Sequence, residues 1–400
     1  MTAMTSKPYC LFVTSFLPYP TGGGSAMRAS IALEVLSSLF SVIVVHPEVW
    51  ATREGIFHDD WVRAHSTAFF RIHPYRVQDI RPLVEDFLAG EPVGAKLEVV
   101  YAFRQAVAPL AINCFSAAGS QPRVTVLDLD DDECGRNAQF APLHEAAGDA
   151  ALAATIRAEI PKMNLFRVML MPRFNHLLLA SPDDCTALRA RHPGHSFVHV
   201  PNAVRAPHSP AAAGGRDQRV ILFVGSLDYL PNEDAAAFFV HAVLPLIRTV
   251  DERTTFRIVG VGQSRPINAL KHLPGVHLLG AIADLTPEYA AAGMLVVPLR
   301  AGSGTRIKIL EAFRYRTPVV STTKGAEGLA VTSGEHLLIA DTPEELATAC
   351  LRLSTDEALC RRLTENAHAW VVQHHSIDTV RTILLECLGT PDTDSFRPRH

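Results

Sequence analysis

Four hundred residues are enough for two domains with well-buried cores, and a composition 48% apolar and 20% charged is that of a soluble globular chain. Thirty-seven basic against 41 acidic residues, a formal charge of −4, give no support to wholesale nucleic-acid binding. Seven cysteines without a CxxC pair or a framework spacing point to a reducing cytoplasm and away from a disulfide scaffold.

The apolar run Tyr9 to Leu17 lacks a basic leader and a small-residue cleavage site, so it predicts a first strand, Cys10 to Ser15, and not a signal peptide. The longest other apolar stretch, Ala290 to Leu299, is broken by Gly293 and Pro298 and falls short of the roughly 18 residues a spanning helix needs. The expected location is the cytoplasm, with a peripheral contact at the inner face of the membrane left open. After the first strand come Pro18, Pro20 and Gly22-Gly23-Gly24, then a helical pattern from Ser25 to Leu39 and a strand from Ser41 to Val45. This is a βαβ unit whose glycine loop, with Gly23 and Gly24, sits where open parallel sheets take ligands. Arg28, in the first turns of that helix, has two open readings: a contact to an anionic group, or a solvated charge.

Further helices are predicted at Ile80 to Leu88, Leu97 to Phe115 and Ala141 to Arg173, the last broken at Pro161. Between them Val124 to Leu127 runs into five carboxylates, Asp128, Asp130, Asp131, Asp132 and Glu133. Hard oxygen ligands at a strand end suit Mg²⁺ or Mn²⁺. The competing reading is an acidic strand end paired with arginines such as Arg136 and Arg157, and no metal is assigned. Strands at His176 to Ala180 and Phe197 to Val200 flank a helix capped by Ser181. The composition then shifts to a Pro/Ala/Gly segment, which sets the organisation as 1–204, a linker 205–217, and 218–400, with a last helix able to pack back on the first domain.

The second half repeats the α/β grammar, with strands at Val220 to Val224, Phe256 to Val259, Val276 to Leu279 and Met294 to Val297. Asn232 is the expected N-cap of the helix after the first of these strands. From Pro298 to Val320 a strand end, a glycine loop (Gly302-Ser303-Gly304-Thr305), a helix from Arg306 to Tyr315 and a strand at Val319-Val320 follow in sequence. This arrangement presents phosphate-binding amides at a helix N-terminus. Arg306 and Lys308 sit in the first turn, where cations oppose the helix dipole, so an anion is expected there.

The runs Val224-GSLDYLPNEDAAAFF, Ile258-VGVG, Gly275-VHLLG, Pro298-LRAGSGTRIKILEAF and Pro318-VVSTTKGAEGL resemble the C-terminal half of GT-B glycosyltransferases. They are most similar to the retaining family 4 that includes sucrose synthases and bacterial capsule and exopolysaccharide transferases. The N-terminal half fits more loosely, through the glycine loop, Arg28, the acidic strand end and the HLLLASPDD…VPNAV passage.

The resemblance implies two Rossmann-like doubly wound α/β domains facing across a cleft, with a nucleotide diphosphate sugar as donor substrate and no cofactor. It implies a carbohydrate, lipid-linked or small-molecule acceptor and transfer with retention. Glu311 matches the second glutamate of the family's E-x7-E signature and would hold the ribose hydroxyls. Gly225, Gly302, Gly304 and Thr305 would receive the diphosphate, Arg306 and Lys308 would neutralise it, and Ile282 would border the base. Three departures stand out. Ser303 replaces the first glutamate of the signature, Ser226 and Asp228 occupy a loop where relatives carry Arg and Lys, and Asp130 stands near a histidine position of relatives. Asp130 and Asp131 are therefore placed on the acceptor or sugar side with Arg28. His46 and His73 are candidates for a general base, neither singled out by its sequence context. A nucleotide-sugar epimerase and a non-catalytic nucleotide- or glycan-binding module are the alternatives on the same architecture.

Overall fold

The computed structural model describes residues 7–48, 57–92, 95–119, 121–146, 148–206, 215–262, 264–302 and 306–389. Their chain forms two compact units. The first draws on the described residues of Met1–Cys134, Ile160–Val200 and Val380–His400, the second on those of Gly135–Glu159 and Pro201–Thr379.

The first unit is built on a seven-stranded sheet: β1 (Tyr9–Thr14), β2 (Ser41–Pro47), β3 (Ala68–Ile72), β4 (Leu97–Phe103), β5 (Val124–Asp130), β6 (His176–Leu179) and β7 (Phe197–His199). Their spatial order is β3-β2-β1-β4-β5-β6-β7, and every pairing is parallel. Strands covered by helices on both faces must be apolar on both, and β1 is buried at all six positions. The second unit repeats the scheme with β8 (Asp217–Val224), β9 (Thr255–Val259), β10 (Val276–Gly280), β11 (Ala292–Val297), β12 (Val319–Ser321) and β13 (Leu338–Ile339), in the order β10-β9-β8-β11-β12-β13. In each unit the order reverses once, between β1 and β4 and between β8 and β11. Such a reversal, outside the strands' carboxyl ends, is where open α/β sheets take their ligands.

Three expectations are corrected. The segment 97–115 is not one helix: Leu97–Phe103 is the central strand β4, and only Ala108–Asn113 is α-helical. The Val99, Val100, Tyr101 and Phe103 content favours a strand, but no turn residue separates it from the apolar residues that follow, so the two elements read as one. The break near 141–173 falls at Gly148 (φ +88) and Asp149, which accepts from Leu152 N at 3.0 Å, and Pro161 lies inside the helix Ala150–Leu170. Asn232 is not an N-cap. Tyr229 holds that place for the helix Leu230–Phe238, and Asn232 lies in its first turn. The Ser181 cap is observed, accepting from Asp184 N at 3.3 Å. Among the described residues no helix is long and apolar enough to cross a membrane.

Candidate nucleotide site in the second unit

Around the β8–β11 reversal the sequence-predicted residues come together. The helix Ile307–Arg314 buries Ile309, Leu310, Ala312 and Phe313, which leaves Lys308 and Glu311 on its other side. Arg306 occupies the N-cap position and is 7% exposed. Its Nη2 donates to Lys324 O at 3.3 Å and lies 3.9 Å from the exposed Glu327 carboxylate. Lys308 Nζ donates to Asn232 Oδ1 at 2.7 Å and lies 4.7 Å from the centre of the Phe223 ring. Asn232 is itself held by donating to Ser226 O at 2.9 Å. Ser226 therefore takes part through its backbone, not by replacing a cation.

Gly225 shows why the loop after β8 carries no side chain. A Cβ there would stand 2.8 Å from Lys308 Nζ and 2.7 Å from Asn232 Nδ2. Gly302 has φ +116, a conformation side chains resist, and its open side faces Arg306 and the Tyr229 hydroxyl. Ser303, Gly304 and Thr305 lie outside the described residues. Ile282 follows β10 in the outer loop and packs partly buried on the core.

The electrostatics of the helix start are unusual. Burial, reinforced by Arg306 and partly offset by Glu311, pulls the Lys308 ammonium down to about 7. Burial also pushes Glu311 up to about 7, against the stabilising hydrogen bond from Tyr289 and the charge of Lys308. Both side chains keep some solvent-exposed surface, so enclosure by protein atoms, and not complete exclusion of water, produces these shifts. A cation that is underprotonated and crowded by a second cation gains from an incoming anion.

The candidates of the first unit gather at the ends of β1, β4 and β5, but they are committed to one another. Asp128, 1% exposed, accepts from Arg28 Nε at 3.0 Å and from the Tyr101 hydroxyl at 2.7 Å. Arg28 also donates to Val200 O at 2.8 Å, so it is neither a solvated charge nor a single-purpose anion ligand. Asp130, at φ +66, accepts from Ser25 Oγ and Arg104 Nη1, both at 3.1 Å. Arg104 also reaches Asp131 at 2.8 Å and Glu133. Asp132 holds Arg167 at 2.6 Å and Arg191 at 2.7 Å. The five carboxylates thus face four guanidiniums, an arrangement of ion pairs and not of open hard-oxygen ligands. Of the arginines expected to pair with these carboxylates, Arg157 pairs instead with Glu145. Gly23 caps the helix Gly24–Leu39 and is exposed. His46 is buried, with Nδ1 2.9 Å from Thr14 O, and burial lowers its basicity.

Sequence reasoning missed Arg104, Asn232 as a lysine ligand, and Tyr289, whose hydroxyl donates to Glu311 Oε2 at 2.9 Å. A signal existed for Arg104 only, since a cluster of five carboxylates calls for cations on the neighbouring strand end.

Two Rossmann-like parallel-sheet units, the second with its charged helix start at the strand-order reversal, define the GT-B glycosyltransferase fold. Residues 218–356 match the family described as Glycosyl transferases group 1. Solved structures agree across the chain. Anabaena Alr3699/HepE in complex with UDP and glucose aligns with a TM-score of 0.64 at 15% identity, covering 96% of this chain and 100% of that one. TarM aligns with a TM-score of 0.68 at 9% identity over 96% and 99%. The sucrose-phosphate synthase of Thermosynechococcus elongatus gives 0.63 at 15% identity over 94% and 98%. At these identities the likeness is one of fold. Among curated relatives, an uncharacterized 44.6 kDa protein in the cps region of Klebsiella pneumoniae is 24% identical over 164 residues, 39% of this chain and 42% of that protein. An exopolysaccharide phosphotransferase of Streptomyces coelicolor is 29% identical over 138 residues, 32% and 15% of the two chains. The chain spans less than half the length of the curated relatives it matches.

Proposed function

We propose that the chain is a glycosyltransferase that moves a sugar from a nucleotide diphosphate sugar to an acceptor hydroxyl, in polysaccharide or glycoconjugate synthesis. One observation carries the reading: Arg306, Lys308 and Glu311 converge on one helix start, beside Gly225, at the strand-order reversal of a Rossmann-like sheet. The family match over 218–356 supports the class, and the cps-region and exopolysaccharide relatives support the pathway.

In this reading Glu311 accepts hydrogen bonds from the ribose hydroxyls, and backbone amides of the loop ending at Arg306 receive the diphosphate. The bond from the anomeric carbon to the diphosphate oxygen breaks with its electron pair leaving on that oxygen. The acceptor oxygen bonds to the same carbon and gives up its proton to the departing diphosphate or to solvent water. Lys308 and Arg306 stabilise the negative charge that develops on the leaving group, a role fixed cations fill best when they need not reorganise. Supplied in this way, the compensation needs no divalent ion, and retention of configuration follows if the family 4 resemblance holds for the reaction course.

The test is a thermal-shift screen of UDP-, GDP-, ADP- and TDP-sugars on the wild type and on Glu311→Ala. A shift with one base that is lost in the variant is expected. No shift with any of the four overturns the donor assignment.

A further inference from the structure

Glu311 is usually considered with the ligand it would hold, yet the structure surrounds it with a support of its own. Its Oε2 accepts from the Tyr289 hydroxyl at 2.9 Å, while no donor among the described residues is recorded for Oε1. Tyr289, in the helix Thr286–Ala291, is fully buried, and its ring stacks on Tyr315 with centroids 5.0 Å apart and planes 4° from parallel. The Tyr315 hydroxyl is tied to Thr286 Oγ1 at 2.9 Å. Arg216, at the start of the second unit's sheet, fixes the backbone beneath both rings. Its guanidinium donates to Tyr289 O at 2.6 Å and Tyr315 O at 2.7 Å, and to Thr317 Oγ1 at 3.1 Å. A phenol so restrained has little rotational freedom to lose when it makes a hydrogen bond, so the bond is strong for its length.

We propose that Tyr289 is a positioning residue for donor binding: its phenol holds Glu311 as an ionised carboxylate with one oxygen occupied and the other presented to the ligand. The inference rests on the proposed donor site. The phenol's alternative acceptor, Lys308 O, is at 3.4 Å, so the carboxylate is the nearer partner. An anion accepts more strongly than a neutral acid, which makes the bond favour the ionised state. The other groups facing Glu311 are Lys308 on its own helix, with Arg306 behind it, and Tyr315, which Asp284 also faces. Of these only Lys308 also favours ionisation of Glu311, and it is short of charge near neutrality. Tyr289 is then the partner whose help does not fade as the pH rises through neutrality, because its own ionisation lies far above that range.

The test is Tyr289→Phe, which keeps the ring stack and removes only the hydroxyl. In protein carrying ¹³C-labelled glutamate, the Glu311 side-chain carboxyl signal, assigned with Glu311→Gln, is followed against pH. Its midpoint should rise by about one unit in the variant, since one hydrogen bond to the charged form is lost. An unmoved midpoint overturns the proposal, whatever the protein binds. In parallel, UDP, GDP, ADP and TDP are titrated from acid to alkaline pH. The variant should bind the preferred nucleotide about tenfold more weakly on the acid side and as well as wild type once Glu311 is ionised in both. A loss equal at all pH values would mark a merely structural residue and overturn the proposal. If no nucleotide binds the wild type, the donor site fails, and the carboxyl titration still decides the role of Tyr289 toward Glu311. Should Tyr289→Phe not fold, biosynthetic 3-fluorotyrosine, a stronger donor, must move the Glu311 midpoint downward, and failure to do so overturns the proposal.

Discussion

Raising the pH above neutrality should weaken donor binding through Lys308. In the free protein this ammonium titrates at about 7, chiefly because the fold buries it beside Arg306. Its neighbours Asn232 and the Phe223 ring orient it but do not carry a neutralising charge. A diphosphate diester keeps its charge across the neutral range, so the ligand contributes no titration of its own. Binding in the cationic form must then include the work of protonating Lys308, about 1.4 kcal/mol per pH unit above its midpoint. Between pH 7 and about 8.5 the affinity for a nucleotide sugar should therefore fall by roughly one order of magnitude or slightly more. Calorimetry in buffers of different ionisation enthalpy should show proton uptake rising toward one per ligand over the same interval. Lys308→Met should bind weakly at all pH values and lose both the alkaline decline and the proton uptake. A wild-type affinity that stays flat between pH 7 and 9, or a decline that survives in Lys308→Met, would refute the reasoning.

Three further outcomes are expected. Gly225→Ala places a Cβ against Lys308 Nζ and Asn232 Nδ2, so nucleotide affinity should drop about tenfold or more with little change in melting temperature, whereas Gly260→Ala sets a Cβ 1.7 Å from the Gly225 carbonyl oxygen and should destabilise the fold itself by several kcal/mol (~3 or more), as thermal denaturation would show. Glu311 is raised from its ordinary 4.5 to about 7, so the folded state binds the extra proton. Its contribution to stability is present in full below about pH 4.5 and lost as the pH rises to about 7, and urea unfolding of Glu311→Gln should lack that decline. Arg28→Met leaves the buried Asp128 carboxylate without a counter-charge, held only by the Tyr101 hydroxyl and the Asp130 backbone N–H, and should cost about 3–5 kcal/mol in chemical denaturation, a result that a merely solvated Arg28 could not give.

The fold was legible where one physical signal dominated. Buried parallel strands such as Tyr9–Thr14 and Ala292–Val297 are apolar runs that lead into proline-bearing loops, and the structure places them within a residue or two of expectation. Legibility failed where two elements meet without punctuation. Leu97–Phe103 passes into Gln105 through Arg104, whose φ of +78 makes the turn that a glycine would normally announce. A non-glycine residue in that conformation gives no compositional warning. Its side chain then reaches Asp130, Asp131 and Glu133 on the adjacent strand end, so the misread strand and the missed arginine are one error. Ion pairs such as Arg28–Asp128, separated by 100 positions, exist only once the sheet order is known.

The same distinction divides the site. Lys308 and Glu311 were legible because they lie three residues apart on a helix after a glycine loop, where spacing alone fixes their common face, and Arg306 because it stands at the start of that helix. What sets their chemistry was not legible, because it comes from elsewhere in the second unit. Asn232 arrives from the helix after β8, Tyr289 from the helix before β11, and Arg216 from the residue preceding β8. Each reaches the site by a hydrogen bond at a sequence distance of 22 residues or more from its partner, a separation no local pattern encodes. The perturbed titrations of Lys308 and Glu311 follow from this enclosure and not from the motif, since the same two residues on an exposed helix would keep ordinary values. The enclosure is therefore the part of the site that substitution should probe first. Changing Tyr289 or Asn232 leaves the motif intact and separates what the helix carries from what the fold does to it.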